Sequence, residues 1–171
     1  MNFNLIATTY RNMENRLIEE LEELLPDEKI IFTKTRISGL VLCLTESDPY
    51  KIVNKVKDIV KEYPWKIRFV LRLIPIDLVT NTELDDISKE AIKLAAKIKE
   101  GESYKIEVEK RFTNLHSRDI IEKIATKIDR KVRLDNPDWI ILIEIVGKDT
   151  GISVLKSNDI FSLEKMKRSI D

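Results

Sequence analysis

The sequence predicts an α+β fold in two units, a βαββαβ unit followed by an αβαββ unit. Three observations carry this. Apolar residues switch repeatedly between the period of a half-buried strand and that of an amphipathic helix. Two apolar runs, LVLCL and DWIILIEIV, have the length of buried strands and fall well short of the roughly 20 residues a membrane-spanning helix needs. Between them, at 75–82, the periodicity fades and a junction is expected. The expected boundaries are therefore 1–76, 77–157 and a short tail or helix at 158–171.

The elements follow in order. Phe3, Leu5 and Ala7 alternate as on a strand. Leu17, Ile18, Leu21, Leu24 and Leu25 form one helical stripe, which Pro26 and Asp27 end. Ile31, Thr33, Thr35 and Ile37 alternate again, and Ser38-Gly39 turns the chain into LVLCL as a hairpin. Asp48 caps a second helix with Pro49 at its first position. Ile52, Val53, Val56, Ile59 and Val60 repeat the first stripe. A fourth strand is expected over 66–74, with Ile67, Phe69, Leu71 and Leu73 on one face and Arg68 and Arg72 on the other. This order is the split βαβ arrangement of ferredoxin-like folds. Its second sheet face is expected to be partly exposed or docked.

In the second half, a helix over 85–98 is closed by Gly101, and Tyr104, Ile106 and Val108 mark a strand. Ser117 is the expected cap of a helix whose buried stripe is Ile120, Ile121, Ile124, Ala125 and Ile128. DWIILIEIV is apolar on both faces, as a central strand is. It is expected to lie parallel to the 104–108 strand, since a helix joins the two. Gly147 to Gly151 turns into a last strand, ISVLK.

Composition excludes several chemistries. The 171 residues carry 30 basic and 30 acidic side chains, with 43% hydrophobic residues, which excludes wholesale disorder. The start lacks a signal-peptide pattern, so a cytoplasmic location is expected. Cys43 is the only cysteine and His116 the only histidine, so no Cys/His metal site is expected. A Cys–His nucleophile pair would need these two, and Cys43 sits in a buried run. The four glycines are scattered, so neither common phosphate loop is present, and no serine nucleophile elbow appears. No cofactor site and no catalytic residue emerges. Glu19, Glu20, Glu22 and Glu23 read as the solvated face of their helix. Glu107 and Glu109 share a strand face with Lys105 and read as cross-strand ion-pair partners. Glu144 interrupts the central apolar strand and requires a donor.

Charge is segregated along the chain. Residues 14–28 hold seven acids and one base, 51–72 seven bases and two acids, and 110–133 eight bases and three acids. Such a division can steer an anionic partner. The informative segment is 105–128, KIEVEKRFTNLHSRDIIEKIATKI. A strand ends at Lys110 and Arg111, a short loop follows, and a helix starts near Ser117. Helix N–H groups, Thr113, Asn114, Ser117 and the cations Lys110, Arg111 and Arg118 outline an anion site. Phe112 is expected in the core; its alternative, shared with His116, is to stack on an unpaired base. Arg68, Arg72, Lys34 and Arg36 could extend the basic track.

The stretch 76–157 resembles a THUMP domain, through the 85–98 helix, YKIEVEKRFTNLHSRDIIEKIA, KVRLDNPDWIILIEIVG and GISVLK. Arg133 stands where that family usually carries an acid. The preceding unit is similar to the ferredoxin-like domain that commonly precedes THUMP. The resemblance implies a tRNA-binding protein, with Lys110, Arg111, Thr113, His116, Ser117 and Arg118 in the basic strand-to-helix region. It most resembles the stand-alone adaptor that assists a cytidine acetyltransferase in making N4-acetylcytidine in tRNA, which would be a separate polypeptide. The expectation is a non-catalytic adaptor with tRNA and that enzyme as partners and no membrane. The alternatives are the RNA-binding part of a thiolation or methylation system, an RNA-modifying enzyme with an unrecognised site, or a ligand- or protein-binding ferredoxin-like module.

Overall fold

A computed structural model describes residues 1–170. The chain opens with β1 (Leu5–Thr8), α1 (Glu14–Leu24), β2 (Ile30–Lys34), β3 (Leu40–Thr45), α2 (Pro49–Glu62) and β4 (Arg72–Pro75). It continues with β5 (Leu78–Asn81), α3 (Leu84–Leu94), β6 (Ser103–Glu109), α4 (Ser117–Ala125), β7 (Lys131–Val132), β8 (Trp139–Val146) and β9 (Asp149–Leu155). It closes with β10 (Phe161–Ser162) and α5 (Leu163–Ile170). The fold is α+β, in two compact units. The first is Asn2–Ile76 with the chain from Asn158 onward; the second is Asp77–Ser157 with Met1.

In the first unit the strand order is β10-β4-β1-β3-β2, with every neighbouring pair antiparallel. The four strands of the βαββαβ unit thus stand in the order expected of the split arrangement. Leu17, Leu21 and Leu25 of the first helical stripe, and Ile52, Val53, Val56 and Val60 of the second, pack on Leu5, Ala7, Val41, Cys43 and Leu73. Each such side chain contributes about 2 kcal/mol by leaving water. The opposite sheet face is also apolar: Ile6, Leu42 and Ile74 are buried. Asp48 caps α2 as expected, its carboxylate accepting from the Tyr50 N–H at 2.9 Å. Gly39 has φ +81°, and a Cβ there would lie 2.7 Å from the Thr9 carbonyl oxygen, so the hairpin turn requires glycine.

Two details depart from the sequence reading. The fourth strand covers only Arg72–Pro75; a 3-10 turn occupies Pro64–Lys66 and irregular chain follows it. The reason is Glu20. Instead of lying on the solvated face of α1 it is buried, and its carboxylate accepts from the backbone N–H groups of Arg68 (2.7 Å), Phe69 (2.9 Å) and Val70 (2.7 Å). Those donors cannot also serve a strand ladder. Glu19, Glu22 and Glu23 are exposed, as expected. The closing segment is neither a tail nor a helix alone. Phe161 and Leu163 enter the core of the first unit, and β10 pairs with β4.

The second unit has the order β5-β9-β8-β6-β7. β6 and β8 run parallel, registered from Tyr104 opposite Trp139 to Glu109 opposite Glu144, and β8 is the central strand. Ile87 and Ala91 of α3 and Ile120 and Ile124 of α4 pack on Ile141, Ile143, Ile145, Ile152 and Val154. Two short edge strands, β5 and β7, add to the expected αβαββ order; β5 occupies the stretch expected to be a junction. No described helix is long and apolar enough to cross a membrane.

Candidate nucleic-acid interface

The site is the junction where β6 hands over to α4. β6 delivers Lys110 and Arg111 just past its last residue, beside the end of β8. The two cations then part. Lys110 is exposed, its ammonium donating to the Leu115 carbonyl at 3.3 Å. Arg111 turns inward and donates to Glu144 at 2.7 Å, where the carboxylate is 0% exposed. The Arg111 carbonyl accepts from the Gly147 N–H at 2.8 Å, so backbone and side chain are both held. Glu144 thus receives the donor its sequence position demanded, and Arg111 is spent inside the protein rather than on its surface.

The loop after Arg111 is tightly specified. Phe112 takes φ +56°, a conformation uncommon for a bulky residue, and is 62% exposed. Its expected place in the core is corrected: the left-handed backbone turns the ring outward. Thr113 accepts the Leu115 N–H through its hydroxyl at 3.2 Å, which shapes the loop. His116, not Ser117, occupies the N-cap position of α4, with φ −92° and ψ 131°, and makes no side-chain cap. Ser117 is the first helical residue. The opening N–H groups of a helix have no intrahelical partners, so this N-terminus presents donors and partial positive charge toward the exposed His116 and Arg118. Asp119 in the same first turn is the acid that offsets part of that charge.

Of the six expected site residues, the structure places Lys110, His116 and Arg118 on the surface of one short segment. Thr113 and Ser117 are half-buried within it, and Arg111 serves as an internal cation. Glu107 pairs with Lys105 of its own strand at 2.8 Å. In the first unit Arg68, Lys34 and Arg36 are exposed and Arg72 is half-buried; Lys34 donates to the Asn15 side chain at 2.9 Å. Cys43 is fully buried, and burial pushes its thiol up to about 12, so it is not a thiolate at neutral pH. The sequence reading missed the exposure of Phe112 and the burial of Glu20. Neither residue type signals it, because a positive φ at Phe and an inward-turned Glu are both set by tertiary contacts.

Comparison with known proteins agrees with this architecture. Residues 81–155 match the profile of the THUMP domain. The uncharacterized protein MJ0421 of Methanocaldococcus jannaschii is 26% identical over 169 residues, covering 96% of this chain and 44% of the relative. Among solved structures, PH1313 from Pyrococcus horikoshii is similar with a TM-score of 0.64 and 20% identity, over 89% of this chain and 54% of that one. A 4-thiouridine synthetase in complex with RNA and ATP is similar with a TM-score of 0.56 and 12% identity, over 91% of this chain and 42% of that one. These structural likenesses are of fold, and the chain spans about half or less of the length of each. The matched strands, helices and strand-to-helix junction lie in the second unit, and residues 81–155 are a THUMP domain.

Proposed function

We propose that this chain binds RNA, with tRNA as its ligand, and holds it for a modification reaction. The carrying observation is the match of 81–155 to the THUMP domain, an RNA-binding module of tRNA-modification systems. The geometry of the junction supports the reading. Lys110 and Arg118 are exposed beside a helix N-terminus that no side chain of His116 caps. Cations neutralise phosphates, and release of their counterions supplies most of the affinity. Helix N–H groups and hydroxyls fix register on the backbone. A-form RNA offers phosphates and 2′-hydroxyls rather than a readable major groove, so the protein reads shape.

In this reading the chain supplies binding, and the chemistry belongs to a partner domain or polypeptide. The finer assignment is cytidine N4-acetylation, with a separate acetyltransferase as partner, and it rests on the resemblance to the stand-alone adaptor. A second reading places the chain in a thiolation or methylation system; the fold it shares with an RNA-bound 4-thiouridine synthetase and with TrmN from Thermus thermophilus supports that one.

Filter binding of tRNA over a salt series tests the core of the proposal. With about five phosphates engaged, the log–log salt slope for duplex-like RNA is about −4. An absence of tRNA binding at low salt sinks it. Co-purification from the native host, followed by mass spectrometry of tRNA nucleosides after deletion of the partner, decides among acetylation, thiolation and methylation.

A further inference from the structure

Between α2 and β4, outside the THUMP match, the first unit displays aromatic and cationic side chains in alternation. The segment 63–69 reads YPWKIRF. Trp65 sits in the 3-10 turn Pro64–Lys66 and is 71% exposed. An indole is the largest apolar side chain, and leaving it in water forgoes burial that the core would reward. Tyr63 meets the Trp65 ring edge-on, with ring centroids 5.6 Å apart and planes at 79°. The Lys66 ammonium lies 4.4 Å from the centre of the Tyr63 ring, and the Arg68 guanidinium 5.8 Å from that of Phe69.

The backbone below is fastened. Glu20 accepts from three consecutive N–H groups of this segment, and Ile67 and Val70 are turned into the core. The aliphatic residues of the segment therefore face inward, and the aromatic and cationic ones line its surface. Lys66 and Arg68 are exposed, as is Lys61 one turn earlier. Glu62 is the acid beside them; its hydrogen bond with the Tyr63 hydroxyl pushes that group's pKa up. Trp, Tyr and Arg also mark protein interfaces, where Lys is depleted; the exposed Lys61, Lys66 and Arg68 on this stretch favour an anionic polymer. An exposed indole on a segment that also exposes an ammonium and a guanidinium suits a planar base attached to a phosphate.

We propose that Trp65 is a stacking platform for an unpaired nucleotide of RNA, with Lys66 and Arg68 against the adjoining phosphates. This is a second contact, in a different unit from the THUMP domain. The choice of RNA as the polymer rests on the function proposed above; the stacking site has its own test. The intact chain and its Trp65→Phe variant are titrated with an eight-nucleotide single strand, a blunt RNA duplex and tRNA, reading tryptophan emission. The difference between the two proteins isolates Trp65 from Trp139. The expected result is quenching of the Trp65 component by the single strand and by tRNA, and little by the blunt duplex. Trp65→Ala weakens single-strand binding about tenfold, and Trp65→Phe, which keeps a ring, weakens it less. Circular dichroism reads whether each variant is folded; the exposed ring carries little core packing. If tRNA binds with Trp65 emission unmoved and Trp65→Ala binds as well as the parent, the stacking site is wrong and the RNA-binding reading stands. If the parent binds no RNA, both fall. A response to anionic lipid vesicles and none to RNA overturns the site as well.

Discussion

Among the places in this molecule where backbone N–H groups gather, two are treated in opposite ways. At 68–70 three consecutive donors converge on the carboxylate of Glu20, which the chain itself supplies. At the start of α4 the N-cap residue His116 offers no side-chain acceptor, and the cations Lys110 and Arg118 stand exposed nearby. A concentration of donors whose anion is built in is architecture. One that its own chain serves only in part, through Asp119 of the same turn, leaves donors open for the RNA proposed above. The same contrast divides the adjacent pair Lys110 and Arg111: one cation faces solvent, the other is committed to Glu144.

The largest expected effect is at that internal pair. Arg111→Ala leaves a fully buried carboxylate without this cation, and should lower stability by about 3–5 kcal/mol in urea denaturation. Replacing both partners, as Arg111→Met with Glu144→Leu, should recover most of the loss, since well-packed apolar groups often replace a buried ion pair at no cost. If the double variant folds and binds tRNA like the parent, the guanidinium is structural and the contrast with Lys110 holds. A folded double variant that has lost tRNA binding breaks the contrast and returns Arg111 to the interface.

Glu20→Ala comes next. It strips three N–H groups of a shared acceptor in a half-buried segment, with an expected loss of about 3 kcal/mol. Because Glu20 also fixes the backbone under Trp65, hydrogen exchange at Arg68, Phe69 and Val70 should quicken in this variant. The same measurement in the α4 first turn should be unchanged. Protection at 68–70 that survives the substitution would mean the donors are held by something other than Glu20.

The residues most visible in the sequence are those whose neighbours are close along the chain. The stripes of α1 and α2, the Asp48 cap and the parallel pairing of β6 with β8 all follow from local spacing or from the connection between elements. The strands that local spacing does not show, β5, β7 and β10, have four, two and two residues. Pieces that short carry no periodicity, and only pairing with a distant partner defines them. The fourth strand was read too long because 67–71 alternates like a strand, while its donors are taken by a residue 48 to 50 positions earlier. At the junction, the composition of the site was legible and its division of labour was not. Lys110 and Arg111 are equivalent in a sequence; what separates them is the register that puts the end of β6 beside Glu144. The need for a donor at Glu144 was readable, its identity was not.

Removing the two exposed cations tests the other half of the contrast. Lys110→Ala with Arg118→Ala should leave the urea midpoint within about 0.5 kcal/mol of the parent, as surface changes generally do. It should weaken binding to all tRNAs alike and make the salt slope shallower by about two. Equal loss across tRNAs is the mark of phosphate contacts. Loss confined to one tRNA would show that these side chains read bases, and an unchanged slope would remove them from the interface.

The smallest effect expected is on acid stability, and it tests other carboxylates that accept backbone or side-chain hydrogen bonds. Among the described residues four carboxylates are held below their ordinary pKa: Glu14 by the Gly39 N–H, Glu28 by Lys55 and Ser47, Glu102 by the Lys99 N–H, and Asp138 by the Ser103 N–H and hydroxyl. A carboxyl group depressed in the folded state favours folding above its unfolded pKa, and that contribution disappears as pH falls through the lower, folded value. Stability should therefore be level from pH 7 to about 5 and decline below about 4.5. Glu14→Gln keeps an acceptor for the Gly39 N–H but not the charge, so its stability should be slightly lower at pH 7 and fall less between pH 4.5 and 3 than the parent's. Parallel curves for parent and variant through that range would show that the carboxylate's charge contributes nothing there. The hairpin turn at Gly39 would then be held by geometry alone.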